Sequence, residues 1–175
     1  MDINQITELV RAAMAKSEEN EVSSVAAPVS EASINVSDRV TLQMARELSR
    51  QVIEEAAKIG VKAVCAVADA GARPVLVECT DDSYIASYDI ALNKAFTSVS
   101  LKMKTSVLAD LAKPNGSLYG IQNTNEGKIV IFGGGIPLVK NGRIIGGFGV
   151  SGGSAEQDTY LGDYAEKVFN KISGN

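Results

Sequence analysis

The apolar runs with strand character in this sequence are joined by very short connections. Residues 61–80 hold two such runs around DAGAR, and residues 128–152 hold three, with KNGR as a hairpin turn between the last two. Helical patterns precede, separate and follow these groups, which gives the order helix, two strands, helix, three strands, helix. The connections are too short for crossover helices. The sequence therefore predicts an α+β fold, a profilin-like or PAS-like antiparallel sheet of about five strands packed with helices.

The segment GFGVSG, residues 147–152, matches the G-x-G-x-x-G pattern of dinucleotide-binding loops. Such a loop requires a βαβ unit with an acidic residue on a second strand about 20 residues further on. The sequence ends at Asn175, and SAEQ at 154–157 predicts a capped helix through most of that stretch. We therefore interpret Gly146, Gly147 and Gly149 as positions where a bulge, a bend or a close backbone approach excludes side chains.

Composition excludes several classes of function. The chain contains no histidine, which rules out a Ser-His-Asp or Cys-His centre and a histidine ligand to zinc or haem iron. A net charge of −4 and few aromatic residues argue against nucleic acid as a partner. The lack of a long apolar run argues against a membrane, and Cys65 and Cys79 are too few for a disulfide framework or a CxxC metal site. We expect a cytoplasmic protein with no metal site and two reduced, buried cysteines.

The N-terminal region has a different pattern from the rest of the chain. Residues 1–16, MDINQITELVRAAMAK, carry apolar side chains at helical spacing, whereas the following stretch is rich in serine, alanine and acidic residues and contains Pro28. We predict an amphipathic targeting helix over residues 1–20, a flexible linker over 21–36, and a domain over 37–175 whose first helix is capped by Ser37. An alternative is that the predicted helix over residues 1–20 packs on its own domain or oligomer.

Three segments of the domain together carry a family resemblance: AVADAGARPVLVE, ASYDIALNKAFTS and IFGGGIPLVKNGRIIGGFGVSGGSAEQD. Over roughly residues 38–172 the chain resembles the GlcG/HbpS family, which includes the C-terminal domain of the propanediol-utilisation protein PduO. The resemblance implies a profilin-like fold, homo-oligomers such as tetramers or octamers and, in some members, binding of haem or a related tetrapyrrole. Residues 1–16 resemble the encapsulation peptides that direct cargo into bacterial microcompartments.

Two glycine clusters are the best candidates for a ligand-facing surface, because residues without a Cβ let the backbone approach a planar or anionic group. The turn at Asn141 and Gly142 predicts that both clusters meet at the far end of the last hairpin, in one site about 10 Å or less across. A strand-turn aspartate and a helix lysine are candidates to orient a ligand or pair with its carboxylate. The candidate cofactor-binding residues are Gly133, Gly134, Gly135, Pro137, Ser151, Gly152, Gly153, Asp69 and Lys94. Possible iron ligands are Tyr84, Tyr88, Cys79 and Met103.

The leading functional hypothesis is a microcompartment-associated accessory protein that binds a small hydrophobic cofactor such as haem or a corrinoid. It is expected to form homo-oligomers and to reach the microcompartment lumen through contacts of residues 1–16 with shell or cargo. One alternative is a structural cargo adaptor without a ligand. Another is an enzyme that uses backbone amides with Lys94 and Asp69 on a small acid or aldehyde.

Overall fold

The structure is a computed structural model that describes Glu8 and residues 39–174. The predicted helix over residues 1–20, the linker over 21–36 and the predicted cap Ser37 lie outside the described residues, apart from Glu8. Within the described domain the first helix is capped by Thr41, whose Oγ1 accepts a hydrogen bond from the Met44 N–H at 3.2 Å. The cap predicted at Ser37 was therefore wrong by four positions, because Thr41 supplies the same type of oxygen directly before the helix.

The described domain has the order helix, two strands, two helices, two strands, helix, with short 3₁₀ turns at Ile121–Asn123 and Asn125–Gly127. It follows the predicted order except that the last group holds two strands in place of three. The helices are α1 (Leu42–Lys58), α2 (Ile85–Ser100), α3 (Thr105–Ala112) and α4 (Ala155–Ser173). The strands are β1 (Val64–Asp69), β2 (Pro74–Cys79), β3 (Gly135–Lys140) and β4 (Arg143–Ser151). The α+β class is thus confirmed.

The four described strands form one antiparallel sheet in the order β2-β1-β4-β3. The predicted turn between the last two strands is present, and both Asn141 (φ 50°) and Gly142 (φ 72°) adopt the left-handed conformation that such a tight hairpin turn needs. The sheet has one strand fewer than the five expected, because residues 128–132 do not pair. The Val130 N–H instead donates to Thr97 Oγ1 at 3.0 Å, which ties this segment to helix α2.

The two faces of the sheet pack against different helices. On one face, α1 and α4 enclose the main core, in which Leu48, Phe148, Leu161 and Phe169 are almost completely buried. On the other face, α2 lies directly on β1 and β4 through small side chains, among them Ala91 and Ala95. This close packing places the middle of α2 within reach of the ends of β4 and α4.

Glycines of β4 make that close approach possible. A Cβ on Gly149 would collide with the backbone carbonyl of Ala91 and lie 2.7 Å from the Ala95 nitrogen. A Cβ on Gly147 would lie 2.6 Å from the Ala95 carbonyl oxygen. Gly147 and Gly149 therefore seat a helix against the sheet, which confirms the interpretation that they mark a close backbone approach.

The cysteines differ in their surroundings. Cys65 lies inside the core, where burial raises the pKa of its thiol far above the ordinary value. Cys79 is exposed at the end of β2, an edge strand of the sheet. The expectation of two buried cysteines was therefore wrong for Cys79, because an outer strand leaves its last residue facing solvent.

Candidate functional site

A buried ion pair joins helices α2 and α4 at one end of the sheet. Lys94 is completely buried, and its Nζ donates to Asp158 Oδ2 at 2.6 Å and to the Val150 carbonyl oxygen at 2.8 Å. The ammonium also lies 4.9 Å from the centroid of the Phe132 ring. Burial lowers the pKa of Lys94, and the charge of Asp158 and its hydrogen bond oppose that shift. The carboxylate that pairs with Lys94 is thus supplied by the chain itself.

Asp158 connects this pair to the loop before α4. Its second oxygen, Oδ1, accepts a hydrogen bond from the Gly153 N–H at 3.0 Å. The Ser154 hydroxyl caps α4 by accepting from the Gln157 N–H, and the Gln157 side-chain oxygen accepts from the Ser154 N–H, as the SAEQ pattern predicted. The loop is therefore fixed both by the helix cap and by a carboxylate that the buried lysine holds in place.

The two predicted glycine clusters meet around the ion pair. The Gly134 carbonyl accepts from the Val150 N–H at 2.9 Å, and a Cβ on Gly134 would lie 2.8 Å from Lys94 Nζ and 3.1 Å from the Asp158 Cβ. Gly153 lies on the other side of the same carboxylate. The predicted juxtaposition is present, whereas its role in ligand binding stays a prediction.

The glycines themselves are poor places for a large side chain. Gly134 has a φ of 107°, and a Cβ there would press on the Val150 carbonyl oxygen at 2.7 Å. A Cβ on Gly152 would collide with the Lys62 carbonyl. Because these contacts are with backbone atoms, valine at Gly134 or Gly152 would disturb the fold itself.

Above the ion pair lies a cleft of about 340 Å³. A second cleft of about 380 Å³ adjoins it and shares Phe132 and Ala155 with it. Beside the first cleft, Ile85 is 96% exposed and Tyr84 is 73% exposed. The first cleft is lined by Tyr84, Ala86, Ser87, Ile90, Phe132, Ser151, Gly152, Gly153, Ala155 and Asp158. We call it the Phe132 cleft. Exposed apolar side chains next to a cleft are typical of a binding surface.

The predicted site residues are only partly gathered here. Ser151, Gly152 and Gly153 line the Phe132 cleft, Gly133 lines the adjoining one, and Lys94 and Gly134 lie beneath them. Gly135 and Pro137 belong to the pairing of β3 with β4, and the Gly135 N–H donates to Thr105 Oγ1 at 2.8 Å. These two residues do not line either cleft.

Asp69 lies elsewhere in the fold. It ends β1 opposite Gly146, whereas Ser151 pairs with Val64 at the other end of the same strand. Its Oδ1 accepts from the Gly71 N–H at 2.8 Å and the Arg73 N–H at 2.9 Å. Asp69 thus forms the turn and lies at the end of β1 away from the ion pair. Its predicted place beside Lys94 and the glycine clusters was therefore wrong.

Sequence reasoning missed Asp158, Phe132 and Ser87 as parts of this site. The Ser87 hydroxyl lies 3.2 Å from the Ser151 hydroxyl, so it bridges α2 and the end of β4. One signal was available for the lysine: its neighbours Ala91, Ala95 and Ser98 are small, which is typical of a helix side that packs closely on a sheet. A lysine on such a side requires a buried anion.

The described residues hold no group of three histidine, cysteine or acidic side chains able to bind a metal ion. Within the part of the chain that the structure describes, no helix has the length and hydropathy needed to cross a membrane.

Comparison with known proteins gives consistent matches. A family model described as "Haem degrading protein HbpS-like" matches residues 40–165. An uncharacterised 15.0 kDa protein from the dhaT-dhaS intergenic region of Citrobacter freundii is 42% identical over 133 residues, which are 76% of this chain and 94% of the relative. The corrinoid adenosyltransferase PduO of Salmonella typhimurium is 36% identical over 124 residues, which are 71% of this chain but only 37% of PduO. The solved PduOC:heme complex matches with a TM-score of 0.71 and 34% identity, over 74% of this chain and 94% of the other.

Proposed function

Since this chain belongs to the HbpS-like family, we propose that it binds haem or a closely related tetrapyrrole in the Phe132 cleft. One observation carries the proposal: exposed aromatic and aliphatic side chains, chiefly Tyr84 and Ile85, lie beside this cleft at the start of α2. A large planar apolar ligand covers such side chains and gains free energy from the area removed from water. The solved haem complex of the related PduOC domain supports the same ligand class.

The residues of the cleft fit a tetrapyrrole in shape and polarity. The two adjoining clefts, of about 340 and 380 Å³, each reach the size of ordinary ligand sites. Phe132 stands between them, so its ring is placed to stack on a planar macrocycle, and Ile90 adds an apolar wall. The hydroxyls of Ser87 and Ser151 supply the few polar groups that such a site needs.

Tyrosine is the iron ligand that this chain offers at the cleft. No histidine exists in the sequence, whereas Tyr84 lines the cleft with its ring mostly exposed. A phenolate oxygen is an established type of haem ligand. When bound, haem would supply redox-active iron; the part of Tyr84 would be to hold that iron at its phenol oxygen.

Lys62, whose backbone packs against a residue of the cleft lining, carries an exposed cation. The Lys62 carbonyl packs at Gly152, and the Lys62 ammonium pairs with Asp82 at 2.6 Å, two residues before Tyr84. Both members of this pair are solvent-exposed, so the pair itself adds little stability. Lys62 is therefore free to exchange Asp82 for a carboxylate group of the ligand.

A titration with haemin tests the proposal. The untagged full-length chain should bind about one haemin per protomer and give a saturable Soret band. Phe132→Ala and Tyr84→Ala should each weaken binding about tenfold, on the order of the loss of one well-packed aromatic contact. Tyr119→Ala is the matched control, because Tyr119 is also mostly exposed but does not line the cleft. Equal affinity for all four proteins would refute this site.

For its setting, we propose association with a bacterial microcompartment through residues 1–16, and assembly of the domain into a homo-oligomer. The apolar spacing of residues 1–16 and the similarity to PduO support the first part, and family membership supports the second.

A corrinoid is the competing cofactor, and a titration with cobalamin in place of haemin distinguishes the two. Failure to bind either would favour a cargo adaptor, whereas turnover of a small acid or aldehyde would favour an enzyme.

A further inference from the structure

We propose that the protein has a second ligand site, which takes a small monocarboxylic acid with an apolar body. The site is the cleft of about 280 Å³ between helix α2 and the β1–β2 hairpin, which we call the hairpin cleft. Its lining is Ala66, Val67, Ala68, Ala72, Pro74, Leu92, Asn93, Ala95, Phe96 and Lys128. None of these residues lines the Phe132 cleft, so the proposal stands independently of haem binding.

The apolar space arises from small side chains where the helix and the sheet meet. Ala66 and Ala68 of β1 face α2, and both are buried, yet they fill little of the gap beneath Leu92 and Phe96. Pro74 forms the opposite wall at the start of β2. A branched aliphatic or aromatic group would occupy this space and gain contacts that the alanines leave unmade.

The outer wall of the cleft is held in a defined position. Asp69 Oδ1 accepts hydrogen bonds from the Gly71 and Arg73 N–H groups, and the Ala72 N–H donates to the Asp69 carbonyl at 2.9 Å. These three bonds fix the turn that carries Ala72 and Pro74. The hairpin side of the cleft is therefore a hydrogen-bonded turn, and the other side is helix α2.

The polar groups of the cleft define the class of ligand. Thr97 Oγ1 donates to the Asn93 carbonyl at 2.7 Å and approaches the Lys128 carbonyl at 3.3 Å, so the backbones of these two residues meet at one hydroxyl. Asn93 and Lys128 both line the cleft, and their side chains carry a carboxamide and an ammonium. Within residues 39–174 the ion-pair partner of the Lys128 ammonium is Glu126, in a solvent-exposed contact of the kind that contributes little to stability. One cation and one amide donor beside an apolar space fit a carboxylate on an apolar body.

Benzoate is a suitable probe, because it combines one carboxylate with one flat apolar ring. We expect the full-length protein to bind one benzoate per protomer with a Kd on the order of 1 mM, as the small number of ligand atoms implies. Chemical-shift changes in a two-dimensional NMR titration should fall on residues of the hairpin cleft. Benzyl alcohol, which keeps the ring but lacks the charge, should bind about tenfold more weakly.

Two variants separate this site from nonspecific binding. Lys128→Gln should weaken benzoate about tenfold, whereas Lys113→Gln, an exposed lysine outside the cleft with a comparable surface partner in Asp110, should not change it. Because Lys128 is half exposed, its substitution should leave the urea midpoint unchanged. Absence of saturable binding, or equal affinity of the two variants, would overturn the proposal. Displacement of benzoate by stoichiometric haemin would place both ligands in one cleft and would also overturn it.

Discussion

Lys94 Nζ and Asp158 Oδ2 lie 2.6 Å apart, and both side chains are shut off from solvent. The lysine comes from α2, which covers one face of the sheet, and the aspartate comes from the first turn of α4, which packs with α1 in the main core. Asp158 then holds the Gly153 N–H with its other oxygen. One ion pair therefore joins a helix, the end of β4 and the loop that lines the Phe132 cleft.

The first prediction concerns the stability that this pair controls. Lys94→Met and Asp158→Asn should each lower the free energy of unfolding by about 3–5 kcal/mol, because each leaves a buried charge without its partner. The double variant should lose much less than the sum of the single losses, since no unpaired charge remains and the asparagine oxygen can still accept from Gly153. Urea denaturation of the four proteins measures this cycle. Additive losses would contradict the coupling.

A second prediction concerns the seat of α2 on the sheet. Gly149→Ala should lower the free energy of unfolding by on the order of 1–3 kcal/mol, because its Cβ meets the backbone of α2 rather than a movable side chain. Gly71→Ala is the matched control. There the nearest atom is Asp69 Oδ1 at 3.3 Å, and the turn is at the surface. Thermal melts should therefore separate the two alanine variants clearly, and equal melting temperatures would show that α2 can move away without cost.

Features of the fold that depend on local sequence were predictable. The hairpin turn follows from Asn141 and Gly142, and the cap of α4 follows from Ser154 and Gln157, because each feature is made by residues within a few positions of one another. The apolar run at 128–132 was misread as a strand. Ile129 and Val130 are indeed buried, but burial alone does not tell whether a run pairs with a strand or is held by a helix side chain, here Thr97.

Features of the site that depend on distant residues were harder to predict. Lys94 and Asp158 are 64 positions apart, so no periodicity connects them. The glycine clusters could be brought together because a single hairpin links them. The distance between Asp69 and Lys94 could not be predicted in the same way. It depends on which strands helix α2 packs against and on which end of the sheet Lys94 faces, and the sequence does not show either.

A third prediction concerns the N-terminal segment. Deleting residues 1–20 should leave the melting temperature of the domain nearly unchanged while abolishing co-localisation with microcompartment shells. The reason is that the acidic, serine-rich stretch over 21–36 separates this segment from the domain in the sequence. Fusion of residues 1–20 to a fluorescent protein is the complementary test and should confer co-localisation. A large loss of thermal stability would instead show that the segment packs on the domain.

A fourth prediction concerns the two thiols. Iodoacetamide should modify Cys79 rapidly in the native protein and reach Cys65 only on unfolding, because burial both shields the Cys65 thiol and raises its pKa. Mass spectrometry should show one adduct per chain in buffer and two in urea. The Cys79→Ser variant should show none in buffer. Rapid double labelling of the native chain would contradict the described core.

The last prediction separates two roles of Tyr84 in the proposed haem site. If its phenol oxygen ligates iron, Tyr84→Phe should change the absorption bands of the haemin complex, whereas the retained ring should keep most of the affinity that Tyr84→Ala loses. Tyr88→Phe is the control, because Tyr88 lies one helical turn further along α2 and does not line the cleft. With no histidine in the chain, the untagged complex should also lack the bands of bis-histidine haem. An unchanged spectrum in Tyr84→Phe would leave Tyr84 as a stacking residue only, and bis-histidine bands would show that the iron is held by something other than this chain.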